Sequence, residues 1–509
     1  MAETGFKDQI APFLSKLPAV KRPEKHVHFK KKLMWTLGIL VLYFILSNIS
    51  VFGLSTQSTD VLSAYRAILG GAQGSIILLG IGPIVMASIV LQLLVGAELL
   101  GLDTSEPKDQ AIFQGLQKLM VFVMIIVETL PQIVGKMLLP DPALATKLGI
   151  SNDVLLAIIF LQVVVGGILI LYMDEIVSKW GIGSGVSLFI VAGIAQAMVG
   201  GIINWNPPSP NLNMGLDVVA SSGGPNIPIG LIFRWEWLIS HVGLSNLLTG
   251  QGLLTLIGAG ELLVLPTTIA IFLLIVYVES TRIEIPLSHA AVRGARGKFP
   301  VKLVYASVLP MILVRSLQST VGMFGMLLSR SNIPILSNLG SFNDYGHPVS
   351  GLWFYINPIN GVNDWVPQFA ASAYPGIPYW QIGLHVLVDA FILIAGGIFF
   401  AIFWVETTGM GSTRVAKQIQ KSGMQIPGFR RNEQVIEKVV SRYIPKVTVI
   451  GGAFVGLLTL LSSLFGVLGM INGTGMLLAV SITYQLYEKL ASEQIMEMHP
   501  LMRKFLGEE

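Results

Sequence analysis

TQSTDVLSAYRAILGGAQGSIILLGIGPIVMASIVLQLLVGAEL, residues Thr56–Leu99, holds two hydrophobic segments of unequal length. Val61–Leu69 is amphipathic and too short to cross a bilayer, because a spanning helix needs about 20 apolar residues. It ends at Gly70-Gly71, and Gln73–Leu99 then supplies a full span that glycines and a proline interrupt near its start. Because lipid would leave the backbone groups of a half-helix unpaired, the short segment must fold back into protein or a water-filled cavity. The stretch therefore predicts a re-entrant plug helix beside the aliphatic wall of a gated pore.

The composition of the chain is that of a membrane protein. Of its 509 residues, 53% are hydrophobic and only 12% are charged, which excludes an ordinary soluble globular protein. The chain has no cysteine, so disulfides, thiol catalysis and thiolate metal sites are excluded as well. The first apolar run starts at Leu33, after a charged segment, and its length predicts a membrane anchor rather than a cleavable signal peptide.

Ten apolar runs of spanning length follow one another, five on each side of a long polar loop at residues 204–252. They cover residues 33–52, 74–99, 112–138, 153–173, 184–203, 261–279, 302–328, 380–405, 444–468 and 473–491. Most of the 33 Lys and Arg residues fall on the side of the N-terminus, which predicts that both termini are cytoplasmic. Because five is odd, the second half is expected to be inverted relative to the first. The sequence thus predicts an all-α polytopic membrane protein with ten transmembrane helices in two inverted five-helix halves.

These spans divide the chain into predicted segments. They are a cytoplasmic amphipathic N-terminal arm at 1–32, a first five-helix half at 33–203 that includes the plug at 59–71, an external loop at 204–252, a second five-helix half at 253–491 with basic cytoplasmic loops at 280–301 and 406–443, and a cytoplasmic tail at 492–509. The apolar face of the N-terminal arm fits a helix in the membrane interface, and equally a short helix packed on protein.

Three spans carry glycines at one end with aliphatic residues after them: GIGPIV (Gly80–Val85), GIGSGVSLFI (Gly181–Ile190) and NGTGMLL (Asn472–Leu478). Small residues let membrane helices approach closely, and the spacing alone favours this interpretation. In the functional interpretation, the aliphatic side chains ring a narrow waist that excludes water and ions. No Walker lysine follows any of these motifs, so none of them is a phosphate-binding loop.

Charged residues inside the predicted spans are few. Glu128, Arg315 and Asp389 are candidates for function, because intramembrane charges usually face the protein interior in pairs. Arg315 and Asp389 lie at similar depths on consecutive spans, which predicts that they form a buried ion pair. His385, one helical turn before Asp389, either extends that pair or packs against a neighbour.

The chain offers little for catalysis. Its seven histidines are scattered without metal-ligand spacing, and its membrane serines have no partnered base, so we predict no enzymatic activity, cofactor or metal site. A secondary transporter with inverted repeats and broken helices remains the alternative to a pore, although it would need more charge at the midplane. The basic loops fit the inside-positive bias, and they also fit a docking surface for an anionic partner such as ribosomal RNA.

Seven motifs in colinear order cover nearly the whole chain and carry a family resemblance. They are KLMWTLGILVLYFI (Lys32–Ile45), LGIGPIVMASIVLQLLVG (Leu79–Gly96), FQGLQKL (Phe113–Leu119), DEIVSKWGIGSGVSLFI (Asp174–Ile190), RIEIPLSHAAVRGARGKFPVKLVYASVLPMIL (Arg282–Leu313), FWVETTG (Phe403–Gly409) and GFRRNEQVIEKVVSRYIP (Gly428–Pro445). These motifs resemble the SecY family, the central (alpha) subunits of the Sec protein-conducting translocon. Their residues are closer to those of the archaeal branch than to those of the bacterial one.

The resemblance implies a ten-helix clamshell around an hourglass pore, and it assigns four groups of site residues by motif position. The implied pore ring consists of Ile81, Val85, Val186, Ile190, Ile312 and Leu478. The implied plug residues are Val61, Leu62, Ala64, Tyr65, Arg66 and Leu69. The implied lateral-gate residues are Met86, Glu128 and Thr320. The implied ribosome-docking residues are Arg293, Arg296 and Arg430.

The resemblance also implies partners. They are small membrane subunits of the SecE/gamma and beta types in a heterotrimer, the ribosome at the cytoplasmic loops, signal sequences and nascent polypeptides, and the lipid of the cell membrane. The chain departs from the family pattern in a charged plug residue, Arg66, and in Met86 at a gate position that is often polar. Its external loops at 204–252 and 330–378 are long and have no assigned role.

Overall fold

The computed structural model of the chain divides into two compact units, Met1–Gln196 with Leu478–Glu509, and Ala197–Leu477. The residues that it describes are 12–14, 16–25, 27–55, 58, 69–96, 99–102, 106–135, 137–205, 228–258, 260–289, 296–304, 309–329, 339–342, 348–374, 376–408, 410–421, 424–425, 433–470 and 473–498. Helices make up nearly all of the regular structure in both units.

Every one of the ten predicted spans contains a helix, which confirms the helical fold. In chain order the helices are α1 (Phe29–Asn48), α2 (Gly82–Gly96), α3 (Pro107–Val134), α4 (Pro142–Leu148), α5 (Asn152–Trp180), α6 (Gly185–Ile203), α7 (Leu231–Val242), α8 (Leu244–Leu247), α9 (Gly250–Gly258), α10 (Val264–Ser280), α11 (Leu309–Ser329), α12 (Gly351–Ile356), α13 (Pro367–Ala373), α14 (Tyr379–Thr407), α15 (Ser412–Lys421), α16 (Glu433–Phe465) and α17 (Gly473–Met498). The predicted spans correspond to α1, α2, α3, α5, α6, α10, α11, α14, α16 and α17.

The long helices have the composition of membrane spans. Among the described residues, α3, α5, α6, α14 and α16 are long and apolar enough to cross a membrane, and α2 and α10 are shorter apolar helices. Large apolar side chains on these helices are exposed, such as Leu273 on α10 and Phe391 on α14. Helices with such surfaces satisfy their own backbone and can face lipid. The chain is therefore a multi-pass membrane protein.

The helix of the second predicted span begins only after a non-helical entry. The glycines and the proline predict an interruption near the start of the span at 74–99, and the structure has it, because residues 76–81 form turns and α2 starts at Gly82. The backbone at Gly80 is left-handed, with a φ of +55°, which no helix can contain. In this non-helical entry the Ile81 N–H is available to donate a hydrogen bond to the Leu69 carbonyl.

The basic loop predicted at 280–301 is a β-hairpin. Strands β1 (Arg282–His289) and β2 (Arg296–Lys302) pair antiparallel, and β3 (Met424–Gln425) of the other basic loop pairs with β1, in the order β2-β1-β3. Buried Ile285 and Val301 pack with Val447 of α16, so the hairpin is seated on that helix. Because β2 runs to Lys302, the predicted start of the seventh span at residue 302 was wrong; the described helix of this span is α11.

The described part of the N-terminal arm packs on protein. Leu14 is buried against Gly115 of α3. The backbone N–H of Val20 donates to the Glu175 carboxylate at 2.9 Å, and the Trp180 indole donates to the Lys21 carbonyl at 2.9 Å. These contacts favour the packed interpretation of the arm over a free helix in the membrane interface.

Replacing Glu175 with alanine is expected to release this arm. The carboxylate accepts from Val20 and pairs with buried Lys118 and with Lys179, so its loss leaves Lys118 without its anionic partner. Charge-assisted hydrogen bonds contribute about 1.5–3 kcal/mol, so trypsin cleavage at Lys21 should accelerate roughly tenfold or more. Asp153→Ala, at the exposed opposite end of α5, is the matched control. Cleavage of both variants at the wild-type rate would contradict the assignment.

Candidate functional site

The end of the predicted plug is buried at the start of α2. Of the predicted plug residues, Leu69 is described and is 3% exposed. The others, Val61, Leu62, Ala64, Tyr65 and Arg66, lie outside the described residues. We use the term plug seat for Tyr43, Leu69, Gly70, Gly80 and Phe189, which contact one another in the first unit.

Tyr43 of α1 and Phe189 of α6 form one side of the plug seat. The Tyr43 hydroxyl donates a hydrogen bond to the Gly70 carbonyl at 2.7 Å, and the Tyr43 side chain is 1% exposed. The Tyr43 and Phe189 rings stack with centroids 5.1 Å apart at an angle of 18°. A Cβ atom at Gly70 would lie 2.8 Å from the Phe189 carbonyl oxygen. The plug end therefore passes between these two helices with room for glycine only.

The broken start of α2 forms the other side of the plug seat. The Ile81 N–H donates to the Leu69 carbonyl at 2.8 Å. Gly80 has a φ of +55°, and a Cβ atom there would lie 2.3 Å from the Leu69 oxygen and 2.5 Å from the Gly71 nitrogen. The close approach of two backbones explains why glycines stand both at the plug end and in the GIGP motif.

The predicted gate residue Glu128 lies beside the plug seat. A Cβ atom at Gly82 would lie 2.9 Å from Glu128 Oε2 and 3.1 Å from the Leu69 Cδ1 atom. Glu128 Oε1 is buried and has no hydrogen-bond partner within the part of the chain that the structure describes. Met86 is half-buried on α2, and Thr320 is half-buried on α11 in the second unit. In the first unit, Gly82 at the start of α2 therefore lies close to both the gate residue Glu128 and the plug residue Leu69.

The predicted pore-ring residues are on α2, α6, α11 and α17 or directly before α2. Ile81 is fully buried, Val85, Ile190 and Leu478 are buried, and Val186 is half-buried, all in the first unit. Ile312 is buried in the second unit. All six side chains are aliphatic. Ile81 lies directly before α2, and the other five lie on helices.

The structure brings Arg315 and Asp389, two of the three predicted intramembrane charges, together in the second unit. Arg315 Nη1 lies 3.5 Å from Asp389 Oδ1, and both side chains are buried. Gln318 joins them, because its Oε1 accepts from Arg315 at 2.8 Å and its Nε2 donates to Asp389 at 2.9 Å. Arg315 also donates to the Ser463 hydroxyl of α16 at 2.7 Å. We call these four residues the polar cluster; it links α11, α14 and α16.

The polar cluster is tied to the segment that contains α12. Gln318 Nε2 also donates to the Ile356 carbonyl at 2.6 Å. His385 Nε2 lies 2.8 Å from the Asn357 carbonyl oxygen, and its ring is 4.6 Å from that of Phe354. His385 therefore packs against the segment that contains α12. The sequence interpretation missed Gln318 and Ser463, although the position of Gln318 three residues after Arg315, on the same helix face, was available as a signal.

The predicted docking residues fall mainly outside the described ranges. Arg293 and Arg430 are not described, and Arg296 is the first residue of β2. The sheet nevertheless joins the two basic loops that hold them, because Ser288 of β1 is paired with Gln425 of β3. Over the described residues, no group of three His, Asp or Glu side chains is placed to hold a metal ion.

Family models match almost the whole chain in two adjoining parts. The model described as SecY matches residues 75–487, and the model described as the plug domain of Sec61p matches residues 41–74. The second match contains Tyr43, Leu69 and Gly70 of the plug seat. The SecY match contains every predicted pore-ring residue and every predicted gate residue.

Two archaeal relatives are similar over their full lengths. The chain is 54% identical over 503 residues to the protein translocase subunit SecY of Archaeoglobus fulgidus, with 98% of each chain covered. It is 52% identical over 509 residues to the same subunit of Haloferax volcanii, with 99% of this chain and 100% of the relative covered. The similarity to the archaeal branch that the motifs indicated is confirmed.

Solved channel structures have the same fold. A protein-conducting channel matches with a TM-score of 0.73 at 36% identity, covering 96% of this chain and 98% of that chain. A SecY structure whose plug domain stabilises the closed state and maintains a membrane seal matches with a TM-score of 0.71 at 36% identity and the same coverage. Sec61 in a canine ribosome–channel complex matches with a TM-score of 0.71 at 35% identity, again with that coverage. The chain therefore belongs to the SecY family.

Proposed function

We infer that this chain is the pore-forming subunit of a Sec translocon, which conducts unfolded secretory polypeptides across the membrane and releases transmembrane segments to lipid. Its relatives are protein translocase subunits, and its similar structures are protein-conducting channels. The observation in this chain that carries the proposal is the plug seat, where Leu69 and Gly70 are buried against the broken start of α2. A seated plug and aliphatic neighbours exclude water and ions at rest.

The waist of the pore would be the six aliphatic residues of the pore ring. Aliphatic side chains offer no hydrogen bonds to water, so a narrow ring of them dewets and blocks ions, and yet it yields to an extended polypeptide. The burial of five of the six supports this proposal, as does the hydrogen bond from the Ile81 N–H to Leu69 at the plug seat.

The lateral gate would use α2 and α3 on one side, and α11 and α14 on the other. An apolar signal sequence gains free energy by moving from water to lipid, so it leaves through such a gate as a helix. Met86, Glu128 and Thr320 would set how apolar the segment must be, because buried polar groups at the gate favour partial hydration.

The cytoplasmic face would dock the ribosome through the three-stranded sheet and its basic loops. Sec61 in the canine complex is bound to a ribosome, and Arg293, Arg296 and Arg430 fall in the loops joined by β1 and β3. Ribosomal RNA is a polyanion that such loops attract. We place the chain in the cell membrane with both termini cytoplasmic, in a heterotrimer with small gamma-type and beta-type subunits that hold the two halves.

Site-specific photo-crosslinking tests the proposal. A photoreactive amino acid is placed at Ile190 or Ile312, and at Leu273 on the exposed face of α10 as the control, in complexes reconstituted with a stalled secretory chain. We expect crosslinks to the nascent chain at the two ring positions that depend on its signal sequence, and none above background at Leu273. Absence of crosslinks at both ring positions in a folded complex would overturn the pore. Solute uptake that depends on Asp389 would then favour the secondary transporter.

A further inference from the structure

We propose that Tyr43 is a positioning residue that latches the plug end in the closed channel, through its hydroxyl. The proposal rests on the proposed function, because it gives the plug seat a holding element. Its basis is the 2.7 Å hydrogen bond from the Tyr43 hydroxyl to the Gly70 carbonyl, which lies at the end of the predicted plug. The bond joins residues 27 positions apart and is buried.

The hydroxyl is held in place by the ring that carries it. Stacking on Phe189 fixes the plane of the Tyr43 ring, with the centroids 5.1 Å apart. Phe189 is itself fully buried on α6, so the pair is a rigid support built from two spanning helices. The Gly70 backbone lies against this support so closely that a Cβ atom at residue 70 would collide with the Phe189 carbonyl oxygen. The hydroxyl is the single polar group of the Tyr43 side chain, and it donates to the plug end.

Two hydrogen bonds hold the plug end, and they come from different parts of the chain. The bond from the Ile81 N–H to the Leu69 carbonyl is backbone to backbone and holds the plug end to α2. The bond from Tyr43 comes from a side chain of another helix, α1. Opening therefore requires the plug end to break both of these hydrogen bonds, and the Tyr43 bond is the one that a conservative side-chain substitution removes.

The size of the effect follows from the strength of one buried hydrogen bond. Removing such a bond shifts a two-state equilibrium by roughly fivefold at the central net value for intramolecular hydrogen bonds. A latch of this size keeps the closed state dominant, and an arriving polypeptide can still displace it. A lock many times stronger would prevent opening.

The test compares Tyr43→Phe with wild type and with Tyr277→Phe, an exposed tyrosine on α10, in complexes reconstituted with the small subunits. The phenylalanine keeps the stack on Phe189 and removes only the hydroxyl. We expect the resting ion conductance of Tyr43→Phe to rise about fivefold, with a melting temperature lowered by no more than about 2 °C, as the loss of one hydrogen bond allows, and with the control equal to wild type. A variant that lacks residues 59–68 serves as the reference for an unplugged pore.

The possible results distinguish a failure of the Tyr43 latch from a failure of the proposed translocon function. A conductance for Tyr43→Phe equal to that of wild type, beside a leaking unplugged reference, overturns the latch and leaves the translocon standing. A leak that comes with a melting temperature lowered by more than about 2 °C also overturns it, because the hydroxyl then serves the fold as a whole. If the unplugged reference does not leak and no nascent chain crosslinks to Ile190, the proposed function itself is wrong.

Discussion

Replacing Gly80 with alanine is expected to unseat the plug and to make the resting channel leak. Residue 80 has a φ of +55°, a conformation that costs a residue with a side chain about 1–3 kcal/mol. The added Cβ atom would also lie 2.3 Å from the Leu69 oxygen and 2.5 Å from the Gly71 nitrogen, which are backbone atoms that cannot rotate away. Because each 1.4 kcal/mol changes an equilibrium about tenfold, we expect the open population to rise by about a hundredfold.

The measurement is the resting ion conductance of the reconstituted complex in a planar bilayer. Gly38→Ala on α1 is the matched control, because a Cβ atom at Gly38 meets nothing within 4 Å. The melting temperature of both variants is recorded to show that they fold. Resting conductance of a folded Gly80→Ala complex at the level of Gly38→Ala would contradict the plug seat. Because the substitution breaks backbone contact rather than one hydroxyl bond, its leak should exceed that of Tyr43→Phe.

The spans were predictable because length and hydropathy are local properties. All ten predicted spans contain helices, and α6 begins and ends within one residue of its predicted bounds. Hydropathy alone does not locate the start of a helix where backbone geometry overrides it. Ile76–Leu79 is as apolar as α2, but the left-handed Gly80 and the turns before it keep that segment out of the helix.

The strands were missed for a different reason. The alternation in Arg282–Ile285 has the period of a strand, but it covers only four residues. The pairing of β1 with β3 joins residues 288 and 425, which no local pattern relates.

The candidate site was predictable only in part. Arg315 and Asp389 could be paired from depth alone, because few partners exist for a charge inside the membrane. Tyr43 could not be singled out, since a tyrosine in an apolar helix resembles the aromatic residues that sit at membrane interfaces. Its role depends on Gly70 and Phe189, which only the fold brings to it. The pore-ring and gate assignments came from family resemblance, because spacing alone could not distinguish them from helix packing.

Removing either charge of the Arg315–Asp389 pair is expected to destabilise the second unit strongly. Both side chains are buried, so Asp389→Leu leaves the guanidinium without its anion, and Arg315→Met leaves the carboxylate without its cation. Breaking a buried ion pair from one side costs about 3–5 kcal/mol, whereas replacing both partners with apolar residues is often close to neutral. We therefore expect each single variant to melt well below wild type and the double variant to recover most of the difference.

Thermal unfolding of the detergent-solubilised complex gives the four corners of this double-mutant cycle. Lys302→Met is the control from the same unit, because the Lys302–Glu279 pair is partly exposed and such pairs contribute about 0–1 kcal/mol. If the double variant melts as low as the single variants, the pair does not act as a unit, and Gln318 and Ser463 carry the stability of the polar cluster. If it recovers while protein conduction falls, then the pair serves opening more than folding, because the cluster connects α11 and α14, the two proposed gate helices of this half, to the segment around Ile356.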